Sequence, residues 1–195
     1  MFRYKKNYTQ KYLDQLMQHY PKLKEINCFL AGGALLQIHK KHSFLEIRDW
    51  DIFLESKHDL EQLTNYFKFA TQSLVPSENI NSINFEDISL ITRFAGKPEA
   101  MLSTFDFTVV CCAYVFKTKT LVYHKNFFHD IKNRRLKLVN YSTNNLHLSK
   151  YRVQKYMNKG FQPDSILTSK EICNHCYNKL TCLVEGQDLC HLLSD

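Results

Sequence analysis

Two aspartates, Asp49 and Asp51, stand two residues apart in the run Arg48-Asp49-Trp50-Asp51-Ile52-Phe53. In a β-type run residues i and i+2 share a face, so both carboxylates project from one side of one strand, about 7 Å apart along the chain. Upstream, the apolar segment 28–31 runs into Gly32-Gly33-Ala34, a tight turn before an amphipathic stretch. Glycine amides next to paired carboxylates suit a nucleotide. The amides cradle phosphate oxygens, and the carboxylates hold a hard divalent cation, Mg²⁺ or Mn²⁺, that shares those oxygens. Asp106, within Ser103-Thr104-Phe105-Asp106-Phe107-Thr108-Val109-Val110, adds a third acid in an apolar β-type run, where a charge needs a partner or a metal. Alternation sets Asp106 on one face and Phe105 and Phe107 on the other. If this strand lies beside the Asp49/Asp51 strand, three carboxylates converge and can hold two metal ions for an in-line displacement. Each residue also has a purely structural reading. The glycines make a turn, Asp49 pairs with Arg48, Asp51 caps a loop, and Asp106 is a buried acid held by backbone donors.

The elements that must position these residues read as α/β. Apolar residues at Tyr8, Tyr12, Leu13, Leu16 and Met17 predict a helix over 8–20 that Pro21 ends. A strand over 27–31 leads through the glycines into a helix over 34–41, with Leu35, Leu36 and Ile38 inward and Lys40 and Lys41 outward. A strand over 50–55 carries Asp51, and a helix over 59–72 follows with Leu60, Leu63, Phe67 and Ala70 on one side. Residues 79–84 read as a loop, and 88–94 and 105–116 as strands. The Lys117-Thr118-Lys119-Thr120 turn makes a hairpin with a strand over 121–124. A helix over 126–132, a short strand over 136–139 and a helix over 145–159 complete the series. There is no internal repeat or low-complexity tract.

This ordered set resembles the DNA polymerase β superfamily of nucleotidyltransferases. It is nearest to the branch with Gly-Gly and Arg-Asp-x-Asp, as in the heads of CCA-adding enzymes and poly(A) polymerases and in small phage or bacterial relatives. The likeness runs over residues 26–161 and takes in Phe105-Asp106-Phe107-Thr108 and the stretch from Arg152 to Phe161. It implies a nucleotidyltransferase-like mixed central sheet flanked by helices. It also implies Asp49, Asp51 and Asp106 as catalytic metal ligands, Gly32 and Gly33 as the cradle for β- and γ-phosphates, and Arg48 as a further nucleotide contact. On the 145–159 helix, Arg152 and Lys155 would neutralise the triphosphate and Tyr156 would stack on the base. From the residues alone, these are equally well exposed helix charges and a core tyrosine. Two departures stand out: Ala34 leaves no hydroxyl after the glycines, and no stretch reads as the long helical tRNA-binding half of full CCA-adding enzymes.

Composition bounds the remainder. The 195 residues can bury one sizeable core with a small appendage, and 14 Phe and 11 Tyr against few Gly and Pro argue against disorder. No apolar run approaches a membrane span and the N-terminus lacks a signal-peptide core, so a cytoplasmic, soluble protein without membrane contact is expected. The net charge of +7, with basic runs at 3–6, 22–24, 132–137 and 150–159, favours polyanionic partners, although such faces are also merely solvated. No Gly-x-Ser-x-Gly, His-Glu-x-x-His or P-loop lysine motif supports a hydrolase or NTPase.

The tail is a separate unit, with a division expected at 1–161 and 162–195. Cys173, Cys176, Cys182 and Cys190, with His175 and His191, form the ligand stock of a structural Zn²⁺ site, at spacings that fit no standard finger. The same residues read as an amphipathic helix of leucines in which cysteine is a small apolar filler.

The expected function is metal-dependent transfer of a nucleoside monophosphate from an NTP to an acceptor hydroxyl, with pyrophosphate released. The acceptor would be an RNA end, a protein or a small molecule. A reading from another class is an inactive adaptor of the same fold that binds nucleic acid or a protein partner.

Overall fold

The computed structural model describes residues 1–40, 47, 49–71, 76–139 and 150–164. Apolar alternation builds its centre. β2 (Cys28–Ala31) is buried on both sides, with Cys28 and Leu30 in one apolar cluster and Phe29 and Ala31 in another. β3 (Trp50–Leu54) turns Trp50, Ile52 and Leu54 into the first cluster, which leaves Asp51 and Phe53 on the opposite face. β7 (Cys112–Val115) repeats the pattern, with Cys112 and Tyr114 on one side and Ala113 on the other.

Helices cover the first face. α1 (Lys11–His19) is started by the Gln10 side chain, which accepts from Tyr12 N at 2.7 Å, and buries Leu13, Leu16 and Met17 before Pro21 opens a 3-10 turn. α2 (Gly33–His39) buries Ala34, Leu35, Leu36 and Ile38. α3 (Lys57–Ala70) is capped by Ser56, whose Oγ accepts from Asp59 N at 3.1 Å, and buries Leu63 and Phe67. On the second face, α4 (Pro98–Leu102) inserts Met101 and Leu102 against Phe29, Ala31 and Ala113.

The described sheet has eight strands in the order β1-β8-β7-β2-β3-β6-β5-β4. Its further strands are β1 (Phe2–Lys5), β4 (Ser77–Asn79), β5 (Ser82–Phe85), β6 (Ile88–Ala95) and β8 (Thr120–His124). β3 and β6 run parallel with Trp50 opposite Ile88, and β2 lies antiparallel between β3 and β7. This is the mixed α/β architecture expected. α5 (Phe127–Lys132), β9 (Arg135–Leu136), α6 (Lys150–Asn158) and β10 (Gln162–Pro163) form an annex, in which β9 and β10 pair in parallel. Leu36, Phe107, Val109, Val110, Leu136, Val153, Tyr156 and Phe161 make its separate core. Asp164 N donates to Leu136 O, so the annex packs through Asp164.

Several expectations are corrected. Residues 79–84 are not a loop: Asn79 Oδ1 accepts from Asn81 N (2.8 Å) and Ser82 N (2.9 Å), an Asx turn that closes the β4–β5 hairpin. The 105–116 run is a strand only over β7. Residues 107–111 wind through turns, with Val110 N donating to Phe107 O and Cys111 N to Thr108 O, because Phe107, Val109 and Val110 fill the annex core. Nor does β7 lie beside β3, since β2 separates them.

Candidate nucleotide and metal site

β2 ends in a backbone conformation that the glycine pair makes possible. Gly32 has φ +84° and ψ −137°, a region costly to any residue with a Cβ, and it is the N-cap of α2. A Cβ at Gly32 would stand 3.8 Å from Asp51 Oδ2, whereas one at Gly33 would meet nothing within 4 Å. The glycine turn and one carboxylate of the Asp-x-Asp pair therefore adjoin, with open space over Gly33.

Asp51 is half-buried and Asp49, just before β3, is exposed. Burial and then the negative charge of Asp49 push the Asp51 carboxyl up to about 6, while Lys155 opposes the shift. Among the described residues, no hydrogen bond or ion pair engages the Asp51 carboxylate. Phe53, next on the same face, stacks on Phe29 at 5.6 Å and closes the apolar side of the site.

Asp106 stands in the bend that precedes the 107–111 turns. Its Oδ1 accepts from Phe107 N at 2.9 Å, and its carbonyl from Val139 N at 2.8 Å. Arg152 of α6 grips the carboxylate, Nε to Oδ2 at 2.5 Å and Nη2 to Oδ1 at 3.0 Å. Burial raises the Asp106 carboxyl against the pull of Arg152. Both Asp106 and Asp51 act on the Tyr156 hydroxyl, which burial first of all pushes up to about 12. Among the described residues, no three His, Cys, Asp or Glu side chains are grouped closely enough to hold one metal ion.

The residues expected on α6 separate by environment. Lys155 is exposed and close enough to Asp51 to influence its charge. Tyr156 is only 5% exposed, packed edge-on against Phe107 at 5.2 Å, so its ring belongs to the annex core rather than to a base. Lys40, at the end of α2, is a neighbour that sequence reasoning left as an outward charge. Its Nζ donates to Lys159 O at 2.7 Å, a contact between residues too far apart in the chain for any periodicity to signal. Behind the site, buried Asp130 of α5 accepts from the Thr108 hydroxyl at 2.8 Å. Arg48 and the tail cysteines Cys173, Cys176, Cys182 and Cys190 lie outside the described residues.

The family model for Gabija anti-defense 2 proteins matches residues 3–134, which include the glycine turn, the Asp49/Asp51 strand and Asp106. The chain belongs to the Gabija anti-defense 2 family. A curated protein called Gabija anti-defense 2, from Bacillus phage SPbetaL7, is 29% identical to it over 197 residues, covering 92% of this chain and 46% of that protein. The chain thus spans about half the length of the curated relative it matches. Among solved structures, a CCA-adding enzyme with ATP superposes with a TM-score of 0.62 over 94% of this chain and 47% of that one, at 13% identity. The Thermotoga maritima CCA-adding enzyme complexed with tRNA gives 0.58 over 87% and 44%, also at 13% identity. The Bacillus stearothermophilus CCA-adding enzyme in complex with CTP gives 0.55 over 82% and 42%, again at 13%. At that identity the likeness establishes the fold, so this member of the Gabija anti-defense 2 family has the nucleotidyltransferase fold. No helix among its described residues is long and apolar enough to cross a membrane.

Proposed function

We propose that the chain is a metal-dependent nucleotidyltransferase that moves a nucleoside monophosphate from an NTP to an acceptor hydroxyl. The observation that carries this reading is the contact between the Gly32 turn and Asp51. A left-handed glycine, open space over Gly33 and an unengaged carboxylate 3.8 Å from the Gly32 Cβ position form a phosphate cradle with a cation-seeking group beside it.

The donor set fits a divalent cation. Asp49 and Asp51 are hard oxygen donors on one strand face, and burial, then the neighbouring Asp49 charge, raises the Asp51 carboxyl, a penalty that a bound cation would relieve. Bound there and shared with the phosphates, Mg²⁺ or Mn²⁺ would acidify the attacking hydroxyl and neutralise the departing pyrophosphate. The chain's own groups do the positioning. The Gly33 amide, with open space over it, orients the phosphates, Gly32, whose own N–H donates to Cys112 O, shapes the turn, and Lys155 adds charge on the open side. Asp106, its carboxyl raised by burial, is suited to accept the proton of the acceptor hydroxyl, and Arg152 aligns it until substrate arrives. The family name points to a role against the Gabija defence, and transfer onto a target of that conflict is the activity we assign to it.

The test is incubation with each α-labelled NTP and Mg²⁺ or Mn²⁺ in the presence of total RNA and protein, comparing wild type with Asp49→Ala/Asp51→Ala. Label on one acceptor class in the wild type alone supports the reading. A second reading, an adaptor of the same fold without turnover, draws on Arg152's hold on Asp106. It predicts no transfer, with partner binding equal in both proteins.

A further inference from the structure

The basic runs at 132–137 and 150–159, separate in the sequence, meet in the annex. Gly160 ends α6 with φ +85°, and Arg134 Nη1 lies 3.8 Å from where its Cβ would be. Gln162 N donates to Arg134 O at 2.7 Å, and Gln162 pairs with Arg135. From the other side, Lys40 Nζ donates to Lys159 O at 2.7 Å and sits 5.2 Å from the centre of the Phe161 ring. Lys159 Nζ lies 5.5 Å from the centre of the Tyr156 ring. Lys159, the first residue beyond α6, follows Lys155 by four residues, and Lys40 closes α2, the helix that Gly32 opens. The cations therefore form a continuous track, Arg135, Arg134, Lys159 with Lys40, and Lys155, and through Lys40 it joins the helix that begins at the Gly32 turn beside Asp51.

Two features mark the track as built for a ligand. Lys40, Arg134, Arg135 and Lys155 are exposed, and no ion pair among the described residues engages them or Lys159. The Lys159 ammonium is lowered by burial and then by Lys155 and Lys40, which outweigh the opposing charge of Asp49. The kind of ligand follows from what the track lacks. A protein interface is centred on buried aromatic or aliphatic anchors, yet Tyr156 and Phe161 are buried here and Met157, 42% exposed, is the only exposed large apolar side chain on α6 among the described residues. A sugar-phosphate chain needs only spaced cations.

We infer that this track binds the phosphate backbone of a single-stranded nucleic acid and leads its end to the Gly32/Asp51 turn. That the bound strand is the acceptor rests on the nucleotidyltransferase reading; the binding itself does not.

The experiment is fluorescence anisotropy of a labelled oligouridylate on the full chain across a NaCl series, with polyglutamate as competitor. The proteins compared are wild type, Lys40→Gln/Arg134→Gln/Lys159→Gln and the single Arg134→Gln, each checked by circular dichroism. Loss of three phosphate contacts should weaken binding about tenfold or more and reduce the log–log salt slope by ~2, with the single variant intermediate. Nucleotide binding, read separately with a labelled NTP, should be unchanged in all three. Equal oligouridylate affinity in wild type and triple variant overturns the inference, as does equal displacement by polyglutamate, which would assign the surface to an acidic protein. Altered oligouridylate binding with no transfer of label to RNA sustains the track and overturns only its role as acceptor site.

Discussion

Arg152 holds both oxygens of Asp106, Nε to Oδ2 at 2.5 Å and Nη2 to Oδ1 at 3.0 Å, across two elements that are not neighbours in the chain. With Phe107 N also donating to Oδ1, three of the carboxylate's roughly four acceptor sites are engaged, so a metal placed at Asp106 would compete with the guanidinium. On the nucleotidyltransferase reading proposed above, a cation that used Asp106 would have to displace Arg152 from it.

Arg152→Met should then have two opposed effects. It leaves a largely buried carboxylate unpaired and costs about 1–3 kcal/mol of stability without metal. It also removes the competitor, so Mg²⁺ should restore more stability to the variant than it adds to wild type. Urea denaturation with and without Mg²⁺ reads both. An equal Mg²⁺ increment in the two proteins would mean that Asp106 is outside the cation's reach.

The two glycines should fail differently. Gly32→Ala forces a Cβ into a φ of +84° and should cost about 1–3 kcal/mol, visible as a lower urea midpoint. At Gly33 a methyl meets nothing within 4 Å and sits on the first turn of α2, so Gly33→Ala should leave stability within about 0.5 kcal/mol of wild type. If the open space over Gly33 receives phosphate, that variant still loses NTP binding. Calorimetric titration with a non-hydrolysable NTP, alongside the melt, separates the two roles.

Much of this site is legible in the sequence because it is local. The β2 strand begins one residue after the start of its expected 27–31 span, and the alternation Trp50, Ile52, Leu54 against Asp51, Phe53 alone determines which face Asp51 takes. Asp106 is the instructive failure. The run from Phe105 to Val110 alternates well enough for a strand, but burial of Phe107, Val109 and Val110 against α6 satisfies the same pattern without one. β1 is equally hard to read: its burial is confined to a half-buried Phe2, and its strand character comes from pairing with the edge of β8. The nearness of Lys40 to Lys159 and of Arg134 to Gly160 depends on tertiary packing, which no window along the chain samples.

Thr108 and Asp130 should position Asp106 from behind. Asp130 is 1% exposed, accepts from the Thr108 hydroxyl at 2.8 Å and meets His129 Nδ1 at 3.1 Å, while Thr108 N donates to Lys137 O at 2.9 Å. Thr108→Val strips a buried acceptor of its donor and should cost about 1–3 kcal/mol. By loosening the 107–111 turns it should lower kcat for transfer more than it raises KM for the NTP, and Thr108→Ser should restore both. A loss of stability with kcat unchanged would confine the pair to a structural role.

His39 should make stability fall on mild acidification. Its Nδ1–H donates to Leu35 O at 2.7 Å, so Nε2 is free to accept from the Tyr8 hydroxyl at 3.1 Å, and Tyr8, pushed up to about 12 chiefly by burial, keeps that proton. The ring stacks on Tyr8 and meets Phe127 and Phe128 edge-on. Burial lowers the His39 imidazolium first, the Leu35 carbonyl opposes, and Lys5 lowers it further. Because the folded-state value lies below the unfolded one, the unfolded chain binds the proton first as pH falls. The His39 contribution is thus whole above the ordinary histidine range and is lost as pH drops through it, by at most about 1.4 kcal/mol per pH unit. His124, also lowered by burial, adds to this slope, whereas the raised Asp51 and Asp106 oppose it at lower pH. The decisive quantity is therefore the difference between wild type and His39→Gln, whose side chain does not titrate. Urea midpoints of the two should converge or cross between pH 7.5 and 5.5, and parallel pH profiles would mean that His39 is protonated as easily in the folded protein as in the unfolded chain.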